Sequence, residues 1–144
     1  MSGELRSVAS KGAFVGSPTV LVVEDDEAVQ ALVADMLNEG GVEPATARTG
    51  EEAFTLLKGR QTRYSALITD INLLGRFNGW EVARAAREVD PNFPVVYMTG
   101  AGADEWAILG VPNSVLLRKP FAPAQIVTAV SQLLNVGSTQ PPGS

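Results

Sequence analysis

The feature that most constrains this chain is a short apolar run that ends on a carboxylate, residues 65–70. A run this short, closed by Asp70, is typical of a strand buried on both faces of a parallel sheet. The same pattern occurs earlier, where residues 19–23 lead directly into Glu24, Asp25 and Asp26. Ligands of open α/β sheets collect outside the carboxyl ends of the strands. If the two strands are parallel neighbours, four carboxylates meet at one edge of the sheet.

A weak strand pattern at 42–47 and two more short apolar runs, near residues 94–98 and 115–117, alternate with segments of helical periodicity. Strands that alternate with helices predict an α/β domain with a five-stranded parallel sheet in a three-layer sandwich. Pro44 cannot donate a hydrogen bond to a neighbouring strand, so its strand is expected at the edge of the sheet. Residues 101–113 show poor periodicity, which predicts only a short or irregular fourth helix, at about 104–109.

The two ends of the chain lack any periodic pattern and are rich in small or turn-forming residues. We expect tails without regular structure at 1–17 and 137–144, with one folded domain at 18–136. No apolar run approaches the ~18 residues that a membrane span needs. The N-terminal tail has charged residues but no apolar core, so it does not resemble a secretory signal, and a cytoplasmic location is expected.

The chain contains no histidine and no cysteine. Carboxylates, hydroxyls and amines must therefore supply any chemistry, without a thiolate or the usual imidazole base. The net charge of −5 argues against a nucleic-acid partner, because phosphate contacts usually need a basic face. At the predicted strand ends, acidic residues are joined by Thr99 and Lys119. An all-oxygen cluster suits a hard cation such as Mg²⁺, and a hydroxyl with an ammonium suits a phosphoryl group.

Four short motifs occur in the order VVEDD at 22–26, LITD at 67–70, MTG at 98–100 and RKPF at 118–121. Together these motifs resemble the receiver domain of two-component response regulators, and the resemblance covers essentially all of 18–136. It implies a flavodoxin-like fold with strand order 2-1-3-4-5. It also implies a phosphoacceptor signalling domain that is not an enzyme beyond its own phosphorylation and dephosphorylation.

The resemblance implies a role for each matching residue. Asp70 would accept a phosphoryl group from a phosphohistidine on a sensor histidine kinase or a histidine phosphotransfer protein. Asp25 and Asp70 would bind Mg²⁺, Glu24 would do so through water, and the backbone carbonyl of Asn72 would be a further ligand.

Two other residues would hold the phosphoryl group. Thr99 would donate a hydrogen bond to it, and Lys119 would pair with its oxygens. The Lys119–Pro120 peptide bond is expected to be cis.

The sequence departs from the family pattern in three places. Leu116, three residues before Lys119, stands where many receivers have an aromatic ring that moves with the threonine hydroxyl. The thin fourth helix weakens the case for dimerisation through that face, so a monomer is expected. Residues 75–79 replace the common proline-containing turn with a longer loop, which resembles receivers attached to or serving hybrid sensor kinases.

Three functions remain open from the sequence alone. The first is a phosphoacceptor that signals by contact with another protein or by passing the phosphoryl group on. The second, motivated by Leu116 and the thin helix, is an interaction module that works without phosphorylation. The third is a Mg²⁺-dependent phosphohydrolase, which usually has an acidic residue two positions after the nucleophile, where this chain has Asn72.

Overall fold

The computed structural model describes residues 17–59, 61–100 and 103–138. Five strands alternate with helices along this part of the chain. The strands are β1 (Thr19–Val23), β2 (Glu43–Ala47), β3 (Ala66–Asp70), β4 (Val95–Thr99) and β5 (Val115–Arg118). The helices are α1 (Glu27–Glu39), α2 (Gly50–Gly59), α3 (Gly79–Val89), α4 (Trp106–Leu109), which follows a 3₁₀ turn at Ala103–Glu105, and α5 (Pro123–Ser138).

The strands form one parallel sheet in the order β2-β1-β3-β4-β5. This confirms the flavodoxin-like prediction, including the edge position of the strand that contains Pro44. One hydrophobic core lies between the sheet and α2 with α3, and a second lies between the sheet and α1 with α5. Strands β3 and β4 are buried along their whole length, as short, uninterrupted apolar runs predict.

Local capping determines where two of the helices begin. The Asp26 carboxylate accepts hydrogen bonds from the backbone N–H groups of Ala28 and Val29, as an N-cap residue does. Thr49 caps α2 by accepting from the Glu52 N–H at 3.1 Å. The reciprocal bond goes elsewhere, because the Glu52 carboxylate accepts from the N–H of Arg48. A capping box needs both the bond to the Thr49 side chain and a bond from the Thr49 N–H to the Glu52 carboxylate, so at this helix start it is only half formed.

The fourth helix is short, as the weak periodicity of its segment predicts. Helix α4 has four residues, and Gly110 follows it as the C-cap. A Cβ atom at Gly110 would lie 2.5 Å from Cδ1 and 2.7 Å from the carbonyl oxygen of Trp106, so only glycine fits against this helix. The Trp106 indole N–H donates to the Ser114 hydroxyl at 2.9 Å, and that hydroxyl donates to the Val111 carbonyl. These bonds fasten the short helix to the start of β5.

The boundaries of the folded unit differ slightly from expectation. Helix α5 continues through Ser138, two residues beyond the expected end at 136, a difference within the usual variation of helix termini. The rest of the two predicted tails, 1–16 and 139–144, lies outside the described residues. Among the residues that the structure describes, no helix has both the length and the apolar character that a bilayer crossing requires.

Candidate functional site

The site lies where β1 and β3 end side by side. Val23 pairs with Thr69 in the sheet, so the next residues of the two strands, Glu24 and Asp70, emerge together. The backbone of Glu24 is held on both sides. Its N–H donates to the Ala47 carbonyl at 3.0 Å, and its carbonyl accepts from the side-chain amide of Gln30 at 3.0 Å. The sheet therefore holds the backbones of Glu24 and Asp70 side by side.

Three carboxylates meet at this edge. Oxygen atoms of Glu24, Asp25 and Asp70 all lie within 4.8 Å of one another. Glu24 is 1% exposed and Asp70 is 6% exposed, whereas Asp25 is half-buried. Hard oxygen ligands with a large negative charge, one of them reachable from solvent, fit Mg²⁺ better than a soft transition metal.

Lys119 reaches this cluster from the last strand. Its backbone N–H donates to the Thr99 carbonyl at 2.8 Å, and the Lys119–Pro120 bond is cis, as expected. Its ammonium nitrogen lies 2.9 Å from Glu24 Oε1 and 2.9 Å from Asp70 Oδ2. One cation thus bridges two carboxylates that come from different strands.

The charges at the site are strongly coupled. Burial raises the pKa of Glu24 to about 7, and the Asp70 charge acts in the same direction. Hydrogen bonds from Lys119 and the Asp26 N–H oppose this rise in pKa without cancelling it. Burial alone would lower the pKa of Lys119, but its bonds to Asp70 and Glu24 outweigh that effect and raise it, so the amine stays protonated. The cluster is short of positive charge, which is the condition that favours a bound cation.

Thr99 and Asn72 flank Asp70. Thr99 ends β4 at the same edge and is 1% exposed, and Asp70 pairs with the preceding Met98. The Asn72 N–H donates to Asp70 Oδ1 at 3.1 Å, which orients the carboxylate. All six candidate residues named from the sequence therefore lie at the carboxyl edge of β1, β3, β4 and β5 or in the loop after β3.

Sequence reasoning missed Gln30. Its side-chain amide donates to the carbonyls of Glu24 and Ala47, at 3.0 and 3.2 Å, and so joins the ends of β1 and β2. No local pattern distinguishes this glutamine from any other polar residue in the first turns of a helix. Only the pairing of the two strands shows its place beside the site.

Leu116 lies where the family pattern often has an aromatic residue. It is half-buried, packs against the core and pairs in the sheet with Tyr97. The Tyr97 ring is fully buried, and its hydroxyl accepts a hydrogen bond from the Val111 N–H at 3.1 Å. A buried aromatic ring is therefore present next to this position, on β4 instead of β5.

A groove of about 780 Å³ lies away from the carboxylates. It is formed by residues that precede β3 and β4 together with the end of α5, including Tyr64, Asp90, Phe93 and Leu133. None of the six candidate residues lines this groove. The groove is therefore separate from the candidate site at the carboxyl edge of the sheet.

Known proteins share both this sequence pattern and this fold. The chain is 35% identical over 122 residues to the transcriptional regulatory protein PrrA of Mycobacterium leprae, a match that covers 83% of this chain and 51% of PrrA. It therefore spans about half the length of the curated relatives it matches.

Solved structures of response regulators have the same fold as this chain. A response regulator receiver protein from Sinorhizobium medicae matches with a TM-score of 0.80 and 41% identity, over 83% of this chain and 95% of that one. The response regulator TrrA of Thermotoga maritima, solved in complex with Mg²⁺ and BeF, matches with a TM-score of 0.71 and 29% identity, over 81% and 99%. The family model described as response regulator receiver domain matches residues 20–131. The chain therefore belongs to the family of response regulator receiver domains.

Proposed function

We propose that this receiver domain accepts a phosphoryl group on Asp70, in a Mg²⁺-dependent reaction, from a phosphohistidine of a sensor histidine kinase or a histidine phosphotransfer protein. The observation that carries the proposal is the position of the Lys119 ammonium, 2.9 Å from Asp70 Oδ2 and within the carboxylate cluster. A fixed ammonium beside a carboxylate can stabilise the negative charge that a transferred phosphoryl group brings.

The cation would be held by Asp25 and Asp70 directly, by Glu24 through water and by the Asn72 carbonyl. Mg²⁺ supplies charge neutralisation at the phosphoryl oxygens, which is most of what phosphoryl transfer requires. Receiver domains as a family bind Mg²⁺ at an acidic pocket, and the cluster of Glu24, Asp25 and Asp70 matches such a pocket in ligand chemistry.

Each step of the transfer has a residue to perform it. An oxygen of Asp70 forms a bond to phosphorus while the P–N bond to the partner's imidazole breaks, and the electron pair of that bond returns to the imidazole nitrogen. The Lys119 ammonium then contacts the phosphoryl oxygens, and the Thr99 hydroxyl donates a hydrogen bond to one of them. No protein base is needed, which agrees with a chain that has no histidine.

The phosphorylated domain would signal by contact with another protein or by passing the phosphoryl group to one. The proposed donor is a sensor histidine kinase or a histidine phosphotransfer protein. The chain spans about half the length of its curated relatives. Any activity of a longer protein that contains this domain is therefore also a proposal.

The test is incubation of the protein with acetyl phosphate and Mg²⁺, followed by intact mass analysis and peptide mapping. We expect the mass gain of one phosphoryl group at Asp70, dependent on Mg²⁺ and absent from Asp70→Asn. Beryllofluoride with Mg²⁺ should change tryptophan fluorescence without covalent modification. A wild-type protein that stays unmodified with Mg²⁺ and excess donor would refute the proposal.

A second candidate is an interaction module that works without phosphorylation. Leu116 favours it, because an aliphatic side chain replaces the aromatic ring that many receivers use for switching. The contact of Lys119 with both carboxylates also stabilises the cluster without a phosphoryl group. Unchanged partner binding and signalling by Asp70→Asn would support this second candidate over the first.

A further inference from the structure

The loop that follows Asp70 is held in place by contacts with helix α2. This acceptor loop, residues 71–78, contains Asn72 and closes on itself where the Gly79 N–H donates to the Ile71 carbonyl at 2.9 Å. Its middle residue Gly75 has a φ of +99°, a backbone conformation that residues other than glycine rarely adopt. The loop has no regular secondary structure, so contacts with its surroundings must determine its shape.

Glu51, in the first turn of α2, provides one of these contacts. Its Oε2 accepts a hydrogen bond from the Arg76 N–H at 3.1 Å. A Cβ atom at Gly75 would lie only 2.8 Å from Glu51 Oε1. The absence of a side chain at Gly75 therefore makes space for the Glu51 carboxylate. Glu51 Oε1 is buried and accepts no hydrogen bond within the described part of the chain. The hydrogen bonds to this carboxylate come from the Arg76 N–H and from its own backbone N–H, so within the described residues the loop supplies its partner outside Glu51.

The same face of α2 makes two further contacts with the loop. The rings of Phe54 and Phe77 stack with centroids 4.4 Å apart and planes 10° from parallel. At Gly50, a Cβ atom would lie 2.6 Å from the Phe77 Cβ and 2.7 Å from its carbonyl oxygen. Residues 50, 51 and 54 thus form one surface to which the loop is closely fitted.

We propose that Glu51 is a positioning residue for the phosphoacceptor site: its carboxylate holds the acceptor loop so that the Asn72 carbonyl faces the metal position. This inference rests on the proposed function, since it assigns a partner to the loop that would complete the Mg²⁺ site. The Arg76 N–H is the largest cause of a lowered pKa at Glu51, so the carboxylate remains ionised while it accepts this bond. Residues that orient a metal ligand influence metal affinity although they do not touch the ion.

The test compares Glu51→Ala with Glu52→Ala. Both substitutions remove a carboxylate from the first turn of α2, but the Glu52 carboxylate accepts its hydrogen bond from the Arg48 N–H and not from the acceptor loop. We expect Glu51→Ala to weaken Mg²⁺ binding by about tenfold and Glu52→Ala to leave it unchanged. The half-saturating Mg²⁺ concentration for phosphorylation by acetyl phosphate should rise equally, while the rate at saturating Mg²⁺ recovers. Glu51→Gln, which keeps an acceptor oxygen, should restore part of the affinity.

The outcomes separate this inference from the proposed function. If the wild type binds Mg²⁺ and becomes phosphorylated but Glu51→Ala has the same Mg²⁺ affinity, only the role of Glu51 is refuted. If the wild type does neither, the proposed function and this inference are both refuted. Should Glu51→Ala not fold, Glu51→Asp provides the same test, because its shorter side chain keeps the charge but does not reach Arg76. Wild-type affinity in Glu51→Asp would overturn the inference.

Discussion

The raised pKa of Glu24 makes a direct prediction about stability in the absence of metal. An isolated glutamate has a pKa of 4.5, and in the folded protein that of Glu24 is about 7. The folded state therefore binds a proton more tightly than the unfolded chain does. Between these values the native state holds more protons, so the free energy of unfolding falls as the pH rises from about 4.5 to 7 and is level above that range.

The size of this effect follows from the same two values. At about 1.4 kcal/mol per pH unit, the rise from 4.5 to about 7 corresponds to a loss of about 3 kcal/mol at most. This loss is a large part of the free energy of unfolding of an ordinary domain, which is about 5–15 kcal/mol. No histidine or cysteine titrates in this pH window, since the chain has neither. The lowered pKa values of Glu51 and Glu88 affect stability only below 4.5.

The assay is urea denaturation at pH intervals from 5 to 8 with a chelator present, for the wild type and for Glu24→Gln. The variant replaces the protonated carboxyl with a neutral amide of the same shape, so its unfolding free energy should stay level across the window. Saturating Mg²⁺ should abolish or reverse the wild-type slope, because the ion binds the deprotonated cluster. A metal-free wild type whose stability is level or rises from pH 5 to 7, or a variant with the same slope, would refute the reasoning.

Three further substitutions test other parts of the site and its support. Asp25→Asn should weaken Mg²⁺ binding by about tenfold, or about 1.4 kcal/mol, measured by calorimetric titration; equal affinity would mean that the site is misplaced. Tyr97→Phe leaves the Val111 N–H unpaired and should cost about 1–3 kcal/mol in urea denaturation, with no loss contradicting the buried bond. Gly79→Ala would press a methyl group onto the Asp70 carbonyl and should cost about 1–3 kcal/mol or more, so wild-type stability would contradict this packing.

Much of the fold could be predicted because its patterns are local. Four of the five strands, all but β2, are short and mainly apolar runs of four or five residues. Asp26 caps α1 through neighbours two and three positions away. Such features depend on residues within about one helical turn or one strand, so periodicity and capping residues identify them. The half-formed capping box at Thr49 shows the limit of local patterns, because Glu52 has a second donor, Arg48, within reach.

The candidate site was predictable from the strand ends, but its support was not. A parallel sheet brings the carboxyl ends of its strands to one edge, so residues after β1, β3, β4 and β5 must meet once the strand order is known. The contact between Glu51 and Arg76 joins residues 25 positions apart and follows no sheet or helix rule. Nothing in the spacing of these residues predicts that they touch.

By itself, the sequence determined the alternation of strands and helices, the edge position of the Pro44 strand and the set of oxygen and nitrogen groups available for chemistry. These depend on local periodicity and residue type. Only the tertiary structure decided that Lys119 bridges Glu24 and Asp70, that Glu24 is buried enough to change its pKa, and that Glu51 contacts the acceptor loop. Each of these depends on distances between residues far apart in the chain and on exclusion of water, which are established only when the layers pack together.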